Sequence, residues 1–206
     1  SLPIYEDFDF LDTPSPYGKS KQMCETILQD YVTNQGIRAI ALRYFNPIGA
    51  HTSGELGELQ RMHPQNIVPL ITKNAVGKLA KLVVHGGDYD TEDGTAIRDY
   101  IDINDLADAH VAALKRTLSH KNDIEPFEFY NLGRGRGVSV LELIKKFEKV
   151  TGLDVNYEVN ARRAGDVQEV YADNTKAKSI LGWEAKTNIE TSLLSAYLWE
   201  KNRTNN

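Results

Sequence analysis

The sequence predicts an α/β fold: the closing part of a parallel sheet with its helices, joined to a small mixed α/β lobe. Three observations carry that prediction. Helix-period and strand-like segments alternate along most of the chain, the pattern of a layered α/β architecture. A capped helix over residues 16–35 feeds directly into an apolar strand over 37–44, which is half of an α/β unit. With 206 residues, 41% hydrophobic and 26% charged, the chain has ordinary globular values that exclude disordered, collagen-like and coiled-coil classes.

Residues 1–15 show no strong helix or strand pattern, and with Ser1 at its start the chain reads as beginning inside a larger domain. Ser15 and Pro16 then read as N-cap and first helical residue. Met23, Cys24, Ile27, Leu28, Tyr31 and Val32 form an apolar face that runs to a stop at Gly36. Cys24 is expected to be a small buried hydrophobe on that face, and as a lone cysteine it cannot build a disulfide framework, which suits a reducing cytoplasm. Residues 37–44, Ile-Arg-Ala-Ile-Ala-Leu-Arg-Tyr, predict a buried strand, and 46–64 a long irregular stretch.

A helix is expected over 66–78, with Ile67, Val68, Leu70, Ile71, Ala75 and Val76 inward, followed by a strand over 82–85. Residues 86–95 carry Asp88, Asp90, Glu92 and Asp93 but lack the glycine and terminal glutamate of a calcium loop, so they read as a solvated turn. A strand over 98–101, a helix over 104–118 with Leu106, Val111, Ala113 and Leu114 inward, and a strand over 127–132 follow. Gly133-Arg134-Gly135-Arg136-Gly137 leads into a helix over 140–150. That turn imitates a dinucleotide fingerprint, but Val138 stands where the third glycine is needed, and Asp154 precedes the next strand, 155–159, instead of ending it. Ser139 and Glu142 explain the local sequence as a capping box. Helices over 175–181 and 188–201 close the chain.

A net charge of −5 without a basic run gives no attraction to nucleic acid or to anionic membrane. No stretch approaches the roughly 20 apolar residues of a membrane span, and no charged-then-apolar leader is present. The five histidines show no metal spacing, so neither a metal nor an acyl-transfer triad is assigned.

Two patterns point to chemistry. Tyr17 and Lys21 stand one helical turn apart, so a phenol and an ammonium share a face. A tyrosine in that setting can serve as a base toward an alcohol, the proton transfer that hydride chemistry on a sugar requires. Tyr197 and Lys201 repeat the spacing, but Ile189, Leu193 and Tyr197 recur every four residues, so Tyr197 reads as part of a buried stripe. Arg162-Arg163-Ala164-Gly165-Asp166 is the second pattern. Adjacent guanidiniums suit a diphosphate and the aspartate a ribose, while a surface ion-pair patch explains the pentapeptide equally well.

Taken together, Ser15-Pro16-Tyr17-Gly18-Lys19-Ser20-Lys21, the run Leu42 to His51 through Arg43-Tyr44-Phe45-Asn46-Pro47, the run Thr91 to Ile101, Tyr130-Asn131-Leu132-Gly133 and Arg162 to Asp166 resemble UDP-glucose 4-epimerases of the extended short-chain dehydrogenase/reductase family. The resemblance implies that residues 1–50 with 99–132 are the remainder of an NAD-binding Rossmann-type domain, and that 51–98 and 133–206 form a UDP-sugar-binding lobe. It implies Tyr17 as catalytic base beside Lys21, with Tyr17, Lys21, Tyr44 and Phe45 on NAD. It further implies Asn46, Asn66, Ile67, Val83, His85, Arg98, Arg163 and Asp166 on the UDP-sugar, and Val170 beside the sugar C2 substituent, where a small residue admits N-acetylated hexoses. The family activity is 4-epimerisation of UDP-hexoses through a 4-keto intermediate, in galactose metabolism, by a cytoplasmic homodimer. The family's N-terminal glycine-rich phosphate loop, and its serine or threonine on the sugar 4-hydroxyl, have no counterpart here. The chain therefore resembles the C-terminal three fifths of an epimerase and is expected to bind NAD poorly alone. His85 replaces an aromatic residue, Gln65 an asparagine and Thr52 a proline. Two rival readings stand beside this one: another sugar-nucleotide member of the family (dehydratase, decarboxylase or reductase), or an inactive nucleotide-sugar-binding fragment.

Overall fold

Alternation of helix and strand is what the chain adopts, in a computed structural model that describes residues 2–7, 15–59, 66–119 and 125–204. Helix α1 (Pro16–Gln35) starts where Ser15 Oγ accepts from Gly18 N and stops at Gly36, whose φ of 64° lets the chain leave in the left-handed conformation. It delivers β1 (Ala39–Tyr44), followed by β2 (Asn46–Ile48), α2 (Ile67–Ala75), β3 (Leu82–His85), β4 (Ile97–Arg98), β5 (Tyr100–Asp102) and α3 (Ile103–Thr117). The second half holds β6 (Phe127–Leu132), β7 (Val138–Ser139), α4 (Val140–Thr151), β8 (Tyr157–Asn160), β9 (Glu169–Val170), a π-helical turn at Ala177–Leu181 and α5 (Ile189–Thr204).

Pairing is parallel between β1 and β6, β2 and β5, and β3 and β8. Strand β4 lies between β7, antiparallel, and β9, parallel. The α/β fold with parallel strands expected from the sequence is thus the observed one. Among the described residues, β1 pairs along one edge only. Two groups of buried apolar side chains hold these pieces. Ile101, Leu106, Ala109, Tyr130, Leu132 and Trp183 pack beneath β6 and α3, while Ile71, Leu82, Val84, Leu143, Phe147 and Leu193 fill the space between α2, β3, α4 and α5.

Several expectations need correction. Cys24 is exposed, not buried, and Met23, Ile27 and Tyr31 are more than half exposed, with Val32 the buried residue of α1. The cause is that this face finds no apolar surface to cover it among the described residues; α1 is tied down by polar contacts such as the two bonds of Arg43 to Glu25, at 2.6 and 2.8 Å. Strand 98–101 is two strands, because the chain changes sheets at Asp99. The stretch from residue 46 is not irregular at its start, since β2 pairs with β5. Val111 and Leu114 face outward on α3, and Val155 joins the core ahead of a strand that begins at Tyr157. Residues 8–14, 60–65 and 120–124, which include Gln65, His63 and His120, lie outside the described residues.

Candidate active site

Where the two halves of the chain meet, a cavity of about 240 Å³ is walled by Asn46, Asn66, Ile67, Val83, His85, Arg98, Arg163 and Asp166, completed by Leu70, Val84, Ala96, Tyr100 and Val140. Each polar wall residue is placed by a main-chain feature. Asn46 opens β2, in register with Tyr100, and its N–H donates to the Asp99 carbonyl at 2.9 Å. Asn66 is the N-cap of α2 but makes no capping bond with its side chain. Because Asn66, Ile67 and Leu70 all line the cavity, the N-terminus of α2 opens onto it, and the first-turn N–H groups and the positive end of the helix dipole favour an anion there. His85 ends β3, with Nδ1 3.4 Å from the Ala161 carbonyl.

Arg98, in β4, is largely buried; its Nη1 donates to the Ile97 carbonyl at 2.7 Å and its Nη2 to the Asp166 carboxylate. A cation and the carboxylate that neutralises it therefore both face the same hollow. The adjacent arginines diverge. Arg163 joins the cavity wall, whereas Arg162 turns outward, bonding the Asp88 carboxylate at 2.7 Å and stacking 4.0 Å from the centre of the Tyr89 ring. The hydrogen bond from Arg162 holds the Asp88 carboxyl below the ordinary carboxylate range. Of the two readings the pentapeptide allowed, the ligand-facing one suits Arg163 and the surface ion pair is what Arg162 makes. Burial pushes the Tyr100 phenol far above its ordinary value, so this wall stays un-ionised. Val170 is not a wall residue; it sits in β9, paired with Arg98.

Tyr17, Lys21, Tyr44 and Phe45 do not line this cavity. Tyr17 is 72% exposed, with the Lys21 ammonium 5.2 Å from its ring centre. The Tyr197 and Lys201 pair gives nearly the same separation, 5.8 Å, so spacing alone does not distinguish the two. Packing does, because Tyr197 sits edge-on against Phe147, 6.0 Å between centres. Tyr44 ends β1 with its hydroxyl 3.2 Å from His110 Nε2, and Phe45 N donates to the Leu132 carbonyl at 3.1 Å, so these residues stand at the carboxyl ends of the β1–β6 pair. A larger, more apolar hollow of about 610 Å³ lies behind β2, between Ile48, Val68, Thr72, Ala196 and Trp199; among the described residues no arginine lines it.

Sequence reasoning did not single out Leu70, Ala96, Tyr100 or Val140 as wall residues, while Val84 fell within the stretch from Val83 to His85 that the resemblance placed around phosphate and uracil. Leu70 follows Ile67 by about one helical turn, so periodicity carried a signal for it. Nothing local marked Val140.

A family model described as GDP-mannose 4,6 dehydratase matches residues 1–195. The chain belongs to this family. Within the GDP-mannose 4,6 dehydratase family it is similar to the UDP-glucose 4-epimerase of Bacillus subtilis (strain 168), 47% identical over 204 residues, which is 98% of this chain and 59% of that relative. Among solved structures, it is similar to UDP-glucose 4-epimerase from Bifidobacterium longum in complex with NAD+ and UDP, with a TM-score of 0.91 and 45% identity over 100% of this chain and 60% of that one. It is also similar to the enzyme from Stenotrophomonas maltophila with bound NAD and formylated UDP-arabinopyranose, with a TM-score of 0.92 and 38% identity over the same shares. The chain thus spans about three fifths of the length of the curated relatives it matches. The resemblance to UDP-glucose 4-epimerases, and its limit to part of their length, is as the sequence implied. Among the described residues no group of histidine, cysteine or acidic side chains is gathered to hold a metal, and no helix is long and apolar enough to cross a membrane.

Proposed function

We propose that the protein carrying this chain is an NAD-dependent UDP-hexose 4-epimerase, interconverting UDP-glucose and UDP-galactose, and the N-acetylated pair, through a 4-keto intermediate. The observation that carries this reading is the cavity that gathers Arg98, Arg163 and Asp166 with Asn46, Asn66 and His85, cations and hydrogen-bonding groups suited to a nucleoside diphosphate sugar. In this reading Arg98 and Arg163 bind the diphosphate beside the N-terminus of α2, Asp166 accepts from the ribose, Val83 and His85 border the uracil with Asn66 and Ile67 nearby, and Asn46 orients the hexose. Val170 borders C2. A relative bound to NAD+ and UDP, 45% identical to this chain, supports the assignment, as does the similarity to epimerases in preference to the dehydratase, decarboxylase and reductase alternatives.

The residues present fit the nicotinamide end of NAD: Tyr44 and Phe45 lie at the carboxyl ends of paired parallel strands, the usual place for ligands in such sheets, and Tyr17 and Lys21 stand exposed. The glycine-rich phosphate turn has no counterpart in the sequence. When bound, NAD supplies the acceptor and donor of hydride for C4. Tyr17 takes and returns the proton of the 4-hydroxyl, and Lys21 holds the nicotinamide ribose. We place residues 1–50 and 99–132 on the NAD side, residues 51–98 and 133–206 on the UDP-sugar side, and the protein in the cytoplasm as a homodimer.

For this chain alone, the exposed Tyr17 favours a second reading, a UDP-binding lobe without turnover. Calorimetric titration with UDP, followed by absorbance in the reduced-nicotinamide band after adding NAD and UDP-galactose, separates the two. UDP binding with hydride transfer supports the enzyme, and binding alone the lobe. Absence of UDP binding refutes both.

A further inference from the structure

Asp99 is a fully buried carboxylate that sits in the chain between two cavity-wall residues, yet it does not line the cavity. Fully buried between Arg98 and Tyr100, its Oδ1 accepts from Arg134 N at 2.8 Å, and its Oδ2 from Gly135 N at 3.1 Å and Ala172 N at 3.2 Å. Its main-chain carbonyl accepts from Asn46 N at 2.9 Å. Three elements thus converge on one residue: the turn after β6, the segment after β9, and the start of β2.

Acceptor-only chemistry is required here, because three N–H groups point at two oxygens. An asparagine would offer one oxygen and turn an NH₂ toward at least one N–H. The close approach also explains Gly133, where a Cβ would stand 2.4 Å from Asp99 Oδ2 and 2.8 Å from the Ala172 Cβ. Burial pushes the Asp99 carboxyl above the ordinary range, and the N–H groups of Arg134, Ala172 and Gly135 work against that penalty.

The carboxylate's partners do not line the cavity, but Asp99 adjoins residues placed on the UDP-sugar. Arg98 precedes Asp99 in the chain, Asn46 hangs on its carbonyl, and Val170, in register with Arg98, lies two residues before Ala172. We propose that Asp99 is a positioning residue that fixes Arg98 on the diphosphate, and with it the Arg98–Val170 register, relative to the β1–β6 sheet. This rests on the UDP-sugar reading of the cavity.

The test compares the unaltered chain with Asp99→Asn, titrating UDP and uridine by calorimetry. The variant is expected to lose about tenfold in UDP affinity, the scale of one misplaced charged hydrogen bond, while uridine affinity stays within about twofold. In an Arg98→Ala background, Asp99→Asn is expected to have almost no further effect on UDP, because Asp99 acts through Arg98. Unchanged UDP affinity with a lowered melting temperature, or losses that simply add, would overturn the proposal and leave Asp99 a structural residue. Should Asp99→Asn not fold, amide exchange in the unaltered chain decides. The Arg134, Gly135 and Ala172 amides are expected to exchange more slowly with UDP present, and no change would overturn it. Failure of the underlying reading looks different: the unaltered chain would not bind UDP, and this inference would fall with it.

Discussion

Replacing Arg98 by alanine is expected to weaken UDP binding by about ten- to thirtyfold, and the size follows from what the guanidinium does in the unliganded chain. A hydrogen bond between charged groups contributes about 1.5–3 kcal/mol when made in a partly desolvated site. Arg98 is not free to offer all of that, because its Nη2 is already paired with Asp166 and must let go or share. With side-chain exposures of 15% and 30%, that pair is partly buried, and it is worth about 1 kcal/mol, the top of the range for exposed pairs. With the bond to a doubly charged diphosphate taken at the upper end, about 2.5–3 kcal/mol, the difference leaves about 1.5–2 kcal/mol, which is the predicted factor. Calorimetry at fixed ionic strength is the assay, since a phosphate contact is screened by salt. An Arg98→Ala affinity within twofold of the unaltered chain would refute the assignment of Arg98 to the diphosphate and leave it as the internal partner of Asp166.

Two other outcomes are expected, the first from the resemblance to the epimerases and the second from the structure. Introducing Val170→Tyr into the active protein is expected to abolish turnover of the N-acetylated UDP-hexoses and to spare UDP-glucose; equal loss with both substrates would refute the steric argument. Glu128 sits in a tight cluster, accepting from Arg116 at 2.6 Å twice and from the Tyr130 hydroxyl at 2.8 Å. Burial alone would push its carboxyl up, but these bonds hold it below its ordinary value of 4.5. The cluster's contribution is therefore present at neutral pH and lost as pH falls from about 4.5 through that depressed value. Glu128→Gln is expected to cost about 3 kcal/mol at pH 7 by denaturant melts, with the gap from the unaltered chain closing in acid; a pH-independent gap would count against this account.

How much of this could be read from sequence depends on where the determining contacts lie. Helix α1 was legible because its signals are local: Ser15, Pro16 and Gly36 mark its ends. Helix α4 was legible for the same reason, with Ser139 Oγ accepting from Glu142 N at 3.0 Å. Strands β3 and β6 announced themselves through short apolar runs. Burial was less legible, because an apolar face says that a helix can be covered and not that it is; Cys24 and Ile27 illustrate the difference. At the cavity, the residue types were readable and their directions were not. Arg162 and Arg163 are identical neighbours, and only the placement of Asp88 and Tyr89 across the loop sends one of them away. Asp99 could not be picked out, since its three donors come from 35 and more residues away in the chain.

Among the described residues β1 is paired on one side alone, which has a practical consequence for anyone handling the isolated polypeptide. Six residues, Ala39–Tyr44, present a row of main-chain donors and acceptors along the side away from β6. Such a row is a template for any extended peptide, including another molecule's own strand, so association is expected to rise with concentration unless that rim is capped. A charged or proline-bearing rim substitution, or a complementary strand supplied in trans, is the remedy this geometry suggests.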